Sequence, residues 1–384
     1  MKKYCYLIGL LLTLVWSVFN CVEALVIFYD DDRSGELAMA MGISKAFKDQ
    51  TGMSPDLYGS SNVVKFKTHL KGEKDTLLLI GQKGFDVIEE QAADLRSRHW
   101  KIAHVAHQIF ERHAKIESMV DRLFLPEYLE NTAFQKEKLP NTEKVIWTNG
   151  VATSLSPESV AAVYEEAKAS FPDTSVAYYI VYLGGDAENT DGTTSLYSDE
   201  EARSLAGYAV KDSGDVPLIV LNGPRTGRHS PDLKVVEGSH RDEAPLDHVT
   251  RAFIEALEAV GKDHKLYDFR FGQTSMYRPV LGMLLQGKAK ILIPGESNSV
   301  ISDIVALGLQ EKAVAFMHNA MNDLHHANVR FANKHHGISY LDHKFKLYPG
   351  KMEGPQEDPA VQIALSLSEP DGSVIGGASS SGPS

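Results

Sequence analysis

Short loops rich in small polar residues follow three apolar segments in the C-terminal half of the chain. The first contains Gly184 and Gly185, the second spans residues 222–227, and the third spans residues 295–299. Glycine lets a backbone N–H approach a ligand closely, and an arginine can bind a diphosphate through two parallel hydrogen bonds. These residue types favour a small anionic ligand. The candidate binding residues are Gly184, Gly185, Asn222, Arg225, Thr226, Gly295, Glu296, Ser297, Ser299 and Ser302.

The third loop lies at the start of a predicted helix, because residues 291–308 change from an apolar run to a polar turn and then to an apolar helix. The first N–H groups of such a helix have no partner within it and carry about half a positive charge, which suits a phosphate. Glu296 would repel phosphate but suits a pair of sugar or ribose hydroxyls. The alternative is that Ser297 or Ser299 caps the helix and that nothing binds there.

Acidic and histidine clusters are weaker candidates. Asp30, Asp31 and Asp32 could bind a hard cation or act as a base, but a solvated turn with one helix-capping aspartate is the simpler interpretation. The histidine pairs at 325–326 and 335–336 lie on a predicted helix. Adjacent helical residues point about 100° apart, so one site cannot easily use both members of a pair. We therefore predict no metal site and no cofactor.

Strand and helix patterns alternate through both halves of the chain and indicate the elements that position these loops. Buried strands are predicted near 25–29, 76–80, 218–221 and 290–293. This alternation predicts an α/β protein of two domains, each with a parallel sheet covered by helices, and a cleft between them. If the second sheet is parallel, the three polar loops open onto the same edge, where ligands bind.

The first residues have the layout of a secretory signal peptide. Lys2 and Lys3 precede an apolar run over residues 4–19, and small residues follow at 22–24. We expect residues 1–24 to be cleaved, giving an exported protein (periplasmic or secreted) without a stable membrane span. The alternative is a membrane anchor formed by residues 4–19.

The charge balance bears on possible partners. The 384 residues include 39 Lys plus Arg against 51 Asp plus Glu, a net charge of −12, and no long basic run. A groove that follows a nucleic-acid backbone needs a basic stripe. We therefore predict no nucleic-acid partner, whereas a single loop can bind a small anion whatever the net charge.

Five stretches together resemble the mitochondrial-fission ELM-like family, which is linked to nucleoside-diphosphate sugars and glycosyltransferase-like proteins. The match at 296–303 carries conservative acid substitutions at Glu296 and Asp303. The stretches are DDDRSGELAMAMGISKAF (30–47), LPEYLENTAFQKEKLPNTEKVIWTNGVATSLSPESV (125–160), VYLGGDAENTDGTTSLYSDEEARSLA (181–206), LNGPRTG (221–227) and ESNSVISD (296–303).

The resemblance implies a glycosyltransferase type B-like fold, in which two Rossmann-like domains face a cleft. It places a nucleoside-diphosphate sugar on the C-terminal domain, to be transferred without a metal to an unknown acceptor. The family has a histidine where this sequence has Glu36, so Glu36 would serve as the base, with Asp32 as the other candidate. The alternatives are a noncatalytic exported binding or interaction protein on the same scaffold and a two-lobed solute-binding protein.

The pattern and the resemblance together predict the following divisions. Residues 319–345 are expected to cross back to the first domain, and the Gly/Ser/Pro-rich end of the chain to be largely disordered. The divisions are 1–24 (signal peptide), 25–147 (N-terminal Rossmann-like domain), 148–172 (linker), 173–318 (nucleotide-binding Rossmann-like domain), 319–345 (crossover helix region) and 346–384 (mostly disordered tail).

Overall fold

The computed structural model describes residues 24–72, 75–172, 176–189, 193–236, 239–241, 243–287, 289–352 and 357–368. The helices in these ranges are α1 (Ser34–Thr51), α2 (Val63–His69), α3 (Gly81–Ser97), α4 (Arg112–Ile116), α5 (Ala133–Lys138), α6 (Pro157–Ala167), α7 (Asp199–Ser213), α8 (His248–Ala259), α9 (Tyr277–Gln286), α10 (Asn298–Ala306), α11 (Asp323–Phe331) and α12 (Pro359–Ser368).

The strands of the first half are β1 (Leu25–Tyr29), β2 (Asp56–Gly59), β3 (Thr76–Ile80), β4 (Lys101–Val105), β5 (Arg122–Pro126) and β6 (Val145–Thr148). Those of the second half are β7 (Tyr179–Tyr182), β8 (Ala187–Glu188), β9 (Thr194–Ser195), β10 (Leu218–Leu221), β11 (His264–Tyr267), β12 (Lys290–Pro294), β13 (Ala313–Phe316), β14 (Ser339–Leu341) and β15 (Leu347–Tyr348).

The first sheet has the order β2-β1-β3-β4-β5-β6, and all its pairings are parallel. Its strands are apolar on both faces because helices cover both sides. In β1, Val26 and Phe28 join one hydrophobic cluster and Leu25 and Ile27 join the other, as the two-residue period of a strand requires.

The second sheet has the order β11-β10-β7-β12-β13-β14-β15 and is parallel except for its last pair. Here too the strands bury both faces: Ile180 of β7 joins one cluster, and Tyr179 and Val181 join the other. The predicted α/β fold with two Rossmann-like domains built on parallel sheets is thereby confirmed.

The predicted linker contributes a helix to the second domain. Ser156 caps α6 through the backbone N–H of Ser159, and Pro157 occupies the first helical position. Helix α6 packs closely against α9: a Cβ added to Gly282 would lie 2.3 Å from the Val160 carbonyl oxygen. Residues 148–172 are therefore partly a structural element of the second domain.

The prediction of a mostly disordered tail over 346–384 is wrong for residues 347–348 and 359–368. These form β15 and α12, whereas residues 369–384 lie outside the described part of the chain. Helix α12 carries a buried stripe of Ala360, Ile363 and Ala364, which joins a core cluster of the first domain that includes residues of α1. The sequence prediction missed this apolar spacing because it extended the polar composition after residue 369 backwards.

The predicted crossover region, 319–345, contacts both domains. Helix α11 contacts the first domain near Tyr128, whose ring lies 6.4 Å from that of Phe331. Strand β14 then returns to the second sheet beside β13. The chain crosses back to pack on the first domain at α12 as well.

None of the helices within the described ranges is both long enough and apolar enough to cross a bilayer. The predicted signal peptide, residues 1–24, lies almost wholly outside those ranges. Its cleavage, and the alternative of an anchor at residues 4–19, stay predictions.

Candidate functional site

The three polar loops of the second domain meet at one edge of its sheet. They follow β7, β10 and β12, which are neighbours in the sheet and run parallel. The Gly185 N–H donates to Glu296 Oε1 at 2.8 Å, and the Asp186 N–H donates to the Arg225 carbonyl oxygen at 3.0 Å. The shared edge expected from the sequence therefore exists, and its loops hold one another directly.

Glycines allow these loops to approach each other. A Cβ on Gly185 would lie 2.7 Å from Arg225 Cβ, and one on Gly295 would lie 2.9 Å from the Phe316 carbonyl oxygen. Gly184 has more room, since a Cβ there would lie 3.2 Å from His318 Nε2. The glycines at 185 and 295 are thus required by contacts between loops, whether or not a ligand is present.

Glu296 lies at the centre of this edge and is 4% exposed. Its Oε2 lies 2.6 Å from His318 Nε2, and its Oε1 accepts the Gly185 N–H and lies 3.9 Å from Arg225 Nη2. Burial alone would raise the pKa of Glu296, but His318, Arg225 and the Gly185 N–H outweigh burial and lower it to about 2. Glu296 is a buried anion with internal partners and does not face the cleft as a ligand to sugar hydroxyls.

Asn222 and Thr226 also have internal partners. The Asn222 amide donates to Asp268 Oδ1 at 2.7 Å, and its Oδ1 accepts the Phe269 N–H at 2.6 Å. Thr226 Oγ1 accepts the Gly223 N–H at 3.0 Å, and the residue is 1% exposed. Both side chains fix the shape of the β10 loop rather than presenting groups to the cleft.

The start of α10 is free of side-chain caps. Neither Ser297 nor any other described side chain accepts an N–H from its first turn, and Ser297 Oγ instead lies 3.4 Å from Ser299 Oγ. The alternative in which these serines cap the helix is therefore not what the structure has. Arg225 is half-exposed beside this turn. Free N–H groups, two hydroxyls and a guanidinium lie together where an anion could bind.

The structure does not bring Ser302 to this cluster. Its hydroxyl faces the linker and accepts the Val151 N–H at 3.4 Å. Ser302 lines a separate cavity of about 160 Å³ between the domains, together with Asn149, His336 and Pro359. Ser302 lies a full helical turn beyond Asn298, about 6 Å along the axis of α10 and away from the first-turn N–H groups, which the loop pattern could not distinguish.

Glu36, the predicted base, is buried in the first domain. It is 2% exposed, its Oε2 accepts the Asp30 N–H at 3.3 Å, and its Oε1 has no partner among the described residues. Gly81, with φ +69°, lies directly against its carboxyl group, where a Cβ would come within 1.9 Å of Oε1. Burial raises the pKa of Glu36 to about 7. That value suits a base at neutral pH, but the carboxyl group is enclosed.

The aspartates after β1 are bound by groups of their own domain. Lys83 Nζ lies 2.8 Å from Asp30 Oδ1 and 3.6 Å from Asp32 Oδ2, and Ser60 Oγ donates to Asp31 at 2.7 Å. Three of their oxygens lie within 4.8 Å of one another, but Lys83 lies against two of the three carboxylates and the set contains no histidine. The remaining candidate base, Asp32, is 87% exposed.

Two histidines that sequence reasoning did not select lie at the strand ends. His318 follows β13 and pairs with Glu296, while His107 follows β4 and is partly buried. Burial, then Arg33 of the first domain and Arg225 of the second, lower the pKa of His107 to about 4, so its ring is neutral at pH 7. Both histidines follow short apolar segments at the carboxyl ends of parallel strands, which was the signal that could have identified them.

No known family model matches the sequence, and no curated protein matches it. Membership of the ELM-like family therefore stays a prediction. Among solved structures the chain is similar to MurG of Acinetobacter baumannii (10% identity, TM-score 0.41, 90% of this chain and 91% of that chain). It is also similar to Anabaena HepE in complex with UDP and glucose (11%, 0.44, 90% and 89%) and to a glycosyltransferase of Rickettsia africae (9%, 0.46, 90% and 86%). Because these scores lie below 0.5, we argue function from the site itself.

Proposed function

We propose that the chain binds a nucleoside-diphosphate sugar at the carboxyl edge of the second sheet and transfers the sugar to an acceptor in the cleft. The observation that carries the proposal is the uncapped first turn of α10 beside the half-exposed Arg225. Free N–H groups at a helix start and a guanidinium are the two groups that proteins most often use to bind phosphate oxygens.

The same groups would assist the reaction. Negative charge develops on the diphosphate as the sugar leaves, and positive groups fixed beforehand stabilise that charge without rearranging. Glu296 contributes by holding the Gly185 loop and His318 in place through its two oxygens. Its negative charge is balanced by His318 and Arg225, which reduces repulsion of a neighbouring phosphate.

Binding without transfer is the second candidate, and the position of Glu36 favours it. The predicted base is 2% exposed and lies beneath Gly81, so an acceptor hydroxyl in the cleft would not reach it. His107 is neutral at pH 7 and less buried, and it is the alternative base if transfer occurs. Release of free sugar or transfer product from UDP- or GDP-sugars, lost in His107→Ala but not in Glu36→Gln, would exclude the noncatalytic role.

Calorimetric titration with uridine and guanosine diphosphates tests the binding proposal. Arg225→Ala should weaken binding by about 2 kcal/mol or more, roughly thirtyfold in Kd, because a charged hydrogen-bond donor to the phosphates is lost. Arg228→Ala is the matched control, since Arg228 is an exposed arginine three residues away and forms none of the ion pairs found in the described part of the chain. No saturable binding, or equal affinity for the Arg225 variant, would overturn the proposal.

Export of the chain is a further part of the proposal, supported by the layout of residues 1–24. An exported protein meets nucleotide sugars only if another compartment supplies them, so export favours the binding role over transfer. Mass spectrometry of the mature N-terminus, in separate cell fractions of the host, tests it.

A further inference from the structure

A histidine and two aspartates converge beside the β10 loop, outside the anion site. One ring nitrogen of His240 and one carboxylate oxygen each of Asp247 and Asp268 lie within 4.8 Å of one another. The three come from separate segments, since Asp247 precedes α8, Asp268 follows β11, and His240 lies in the connection between β10 and α8. We propose that these three side chains bind a divalent transition cation, Zn²⁺ or Mn²⁺.

A hydrogen bond to the backbone fixes the orientation of the His240 ring. The residue is 3% exposed, and its Nε2 lies 2.9 Å from the Thr226 carbonyl oxygen, to which it must donate. The other ring nitrogen, Nδ1, has no hydrogen-bond partner among the described residues. A backbone carbonyl on the far nitrogen is the usual arrangement that orients a metal-binding histidine.

The two carboxylates are held together by a shared donor. The Asn222 amide lies 3.1 Å from Asp247 Oδ2 and 2.7 Å from Asp268 Oδ1. The Thr250 N–H donates to Asp247 Oδ1 at 2.8 Å. Outer groups that fix ligand carboxylates in this way are typical of metal sites. This explains why Asn222 is engaged inside the protein and not in the cleft.

The local charge favours a cation. Arg270 forms an ion pair with Asp268, while Asp247 forms none with the described residues. The two carboxylates and the one guanidinium together carry a net charge of −1. A bound divalent ion would neutralise this excess, and imidazole together with carboxylate suits Zn²⁺ or Mn²⁺ better than Ca²⁺.

The three ligand atoms need to move only a short distance to bind one ion. Metal–ligand bonds of about 2.0–2.2 Å place neighbouring ligand atoms of a tetrahedral site roughly 3.4 Å apart. Side-chain rotations that move each atom by about 1 Å would bring the set, now within 4.8 Å, onto one ion. Water would complete the coordination, since the aspartates are only partly buried.

Calorimetric titration of the chelator-treated full chain with ZnCl₂ or MnCl₂ alone tests the site, and electron paramagnetic resonance of bound Mn²⁺ provides a second readout. We expect one saturable site per chain. Loss of a group that only orients a metal ligand typically weakens metal binding roughly 10- to 100-fold, and we expect Asn222→Ala to fall within that range. Asp268→Asn preserves the shape of the side chain but removes a ligand, so it should weaken metal binding by more than this. Because no nucleotide is present, this result is independent of the proposed function.

Asp263→Asn is the matched control, because Asp263 is exposed and lies just before the same strand that Asp268 follows. It should bind the metal as the unaltered chain does. His240→Gln is the second ligand variant, and circular dichroism verifies that each variant is folded. Absence of saturable binding, or equal affinity in a folded Asp268→Asn variant, would overturn the proposal.

Discussion

Two buried glutamates, one in each domain, occupy comparable positions and have opposite electrostatics. Glu36 lies in the first turn of the helix that follows β1, and Glu296 lies in the turn that follows β12. They are 2% and 4% exposed. Nevertheless, the pKa of Glu36 is raised to about 7 and that of Glu296 is lowered to about 2.

The difference lies in the partners, because burial raises the pKa of both. Glu296 is opposed by His318, Arg225 and the Gly185 N–H, which together outweigh burial. Glu36 accepts one long backbone hydrogen bond from Asp30, and its other oxygen has no partner in the described ranges. Burial therefore does not determine the charge state of a carboxyl group until its donors are known.

The same difference separates the two sheet edges. In the first domain, Gly81 lies directly against the Glu36 carboxyl group, and Lys83 forms an ion pair with Asp30. In the second domain, the ion pair of Glu296 lies beneath a half-exposed arginine and an uncapped helix. The first edge encloses a carboxyl group whose pKa is raised, whereas the second keeps positive groups available to a ligand.

Removal of the Glu296 carboxylate should have the largest effect. Glu296→Ala leaves His318 buried without its partner and the Gly185 N–H without an acceptor, and breaking one side of a buried pair costs about 3–5 kcal/mol. Urea unfolding at pH 7 measures the loss. Glu296→Gln, which keeps an acceptor for Gly185, should lose less. A Glu296→Ala variant within about 1 kcal/mol of the unaltered chain would show that the pair is not formed.

Glu36→Gln should have the next largest effect, and it should depend on pH. The folded pKa of about 7 lies above the unfolded value of 4.5, so the folded state retains a proton that the unfolded state loses. Stability is therefore lost as pH rises from 4.5 to 7, by about 3 kcal/mol at 1.36 kcal/mol per unit. The neutral variant avoids this loss.

The measurement for Glu36 is urea unfolding of both proteins at intervals from pH 4.5 to pH 8. The variant should gain about 3 kcal/mol relative to the unaltered chain across this window, whatever constant offset the substitution introduces. Glu90→Gln is a suitable control, since Glu90 is exposed and its ion-pair partner among the described residues is Lys67 alone. A difference that does not change with pH would show that Glu36 is ionised in the folded chain.

Much of the second edge could be predicted because it follows from topology. Parallel strands place their carboxyl ends on one side, so alternating strand and helix patterns were sufficient to bring the loops at 184, 222 and 295 together. The partners within that edge were not predictable. His318 lies 22 residues after Glu296, and nothing in the spacing marks it as the group that neutralises the carboxylate.

The sequence also did not predict which individual polar side chains are buried. Glu36 and Asp32 have similar sequence surroundings, yet one is enclosed and the other is 87% exposed. Helix α12 was missed for a similar reason: its apolar stripe precedes a polar chain end, and the composition of that end led to the prediction of disorder. Both outcomes depend on contacts with distant segments, Gly81 in one case and α1 in the other.

A third buried carboxylate, Asp303, gives the smallest and most discriminating test. It accepts hydrogen bonds from Thr153 Oγ1 at 2.5 Å and from the Tyr277 hydroxyl at 3.0 Å, but it forms no ion pair with a described residue. Burial raises its pKa from 3.8 to about 6 despite these donors. The two hydroxyl donors therefore lower the pKa of a buried carboxyl group less than the histidine, arginine and N–H around Glu296 do.

Asp303→Asn should consequently stabilise the chain by only about 1 kcal/mol at pH 7. Relief of the ionisation cost, about 3 kcal/mol over pH 3.8 to 6, is largely offset by weaker hydrogen bonds to the two hydroxyls. The gain should fade as pH falls through 6 towards 4, where Asp303 is protonated in the folded state and partly protonated in the unfolded state, and urea unfolding at pH 7 and pH 4 measures it. A variant less stable than the unaltered chain at pH 7 would show that hydroxyl donors alone can hold a buried carboxylate ionised, and that Glu36 has a raised pKa because it has too few donors rather than because it lacks a cation.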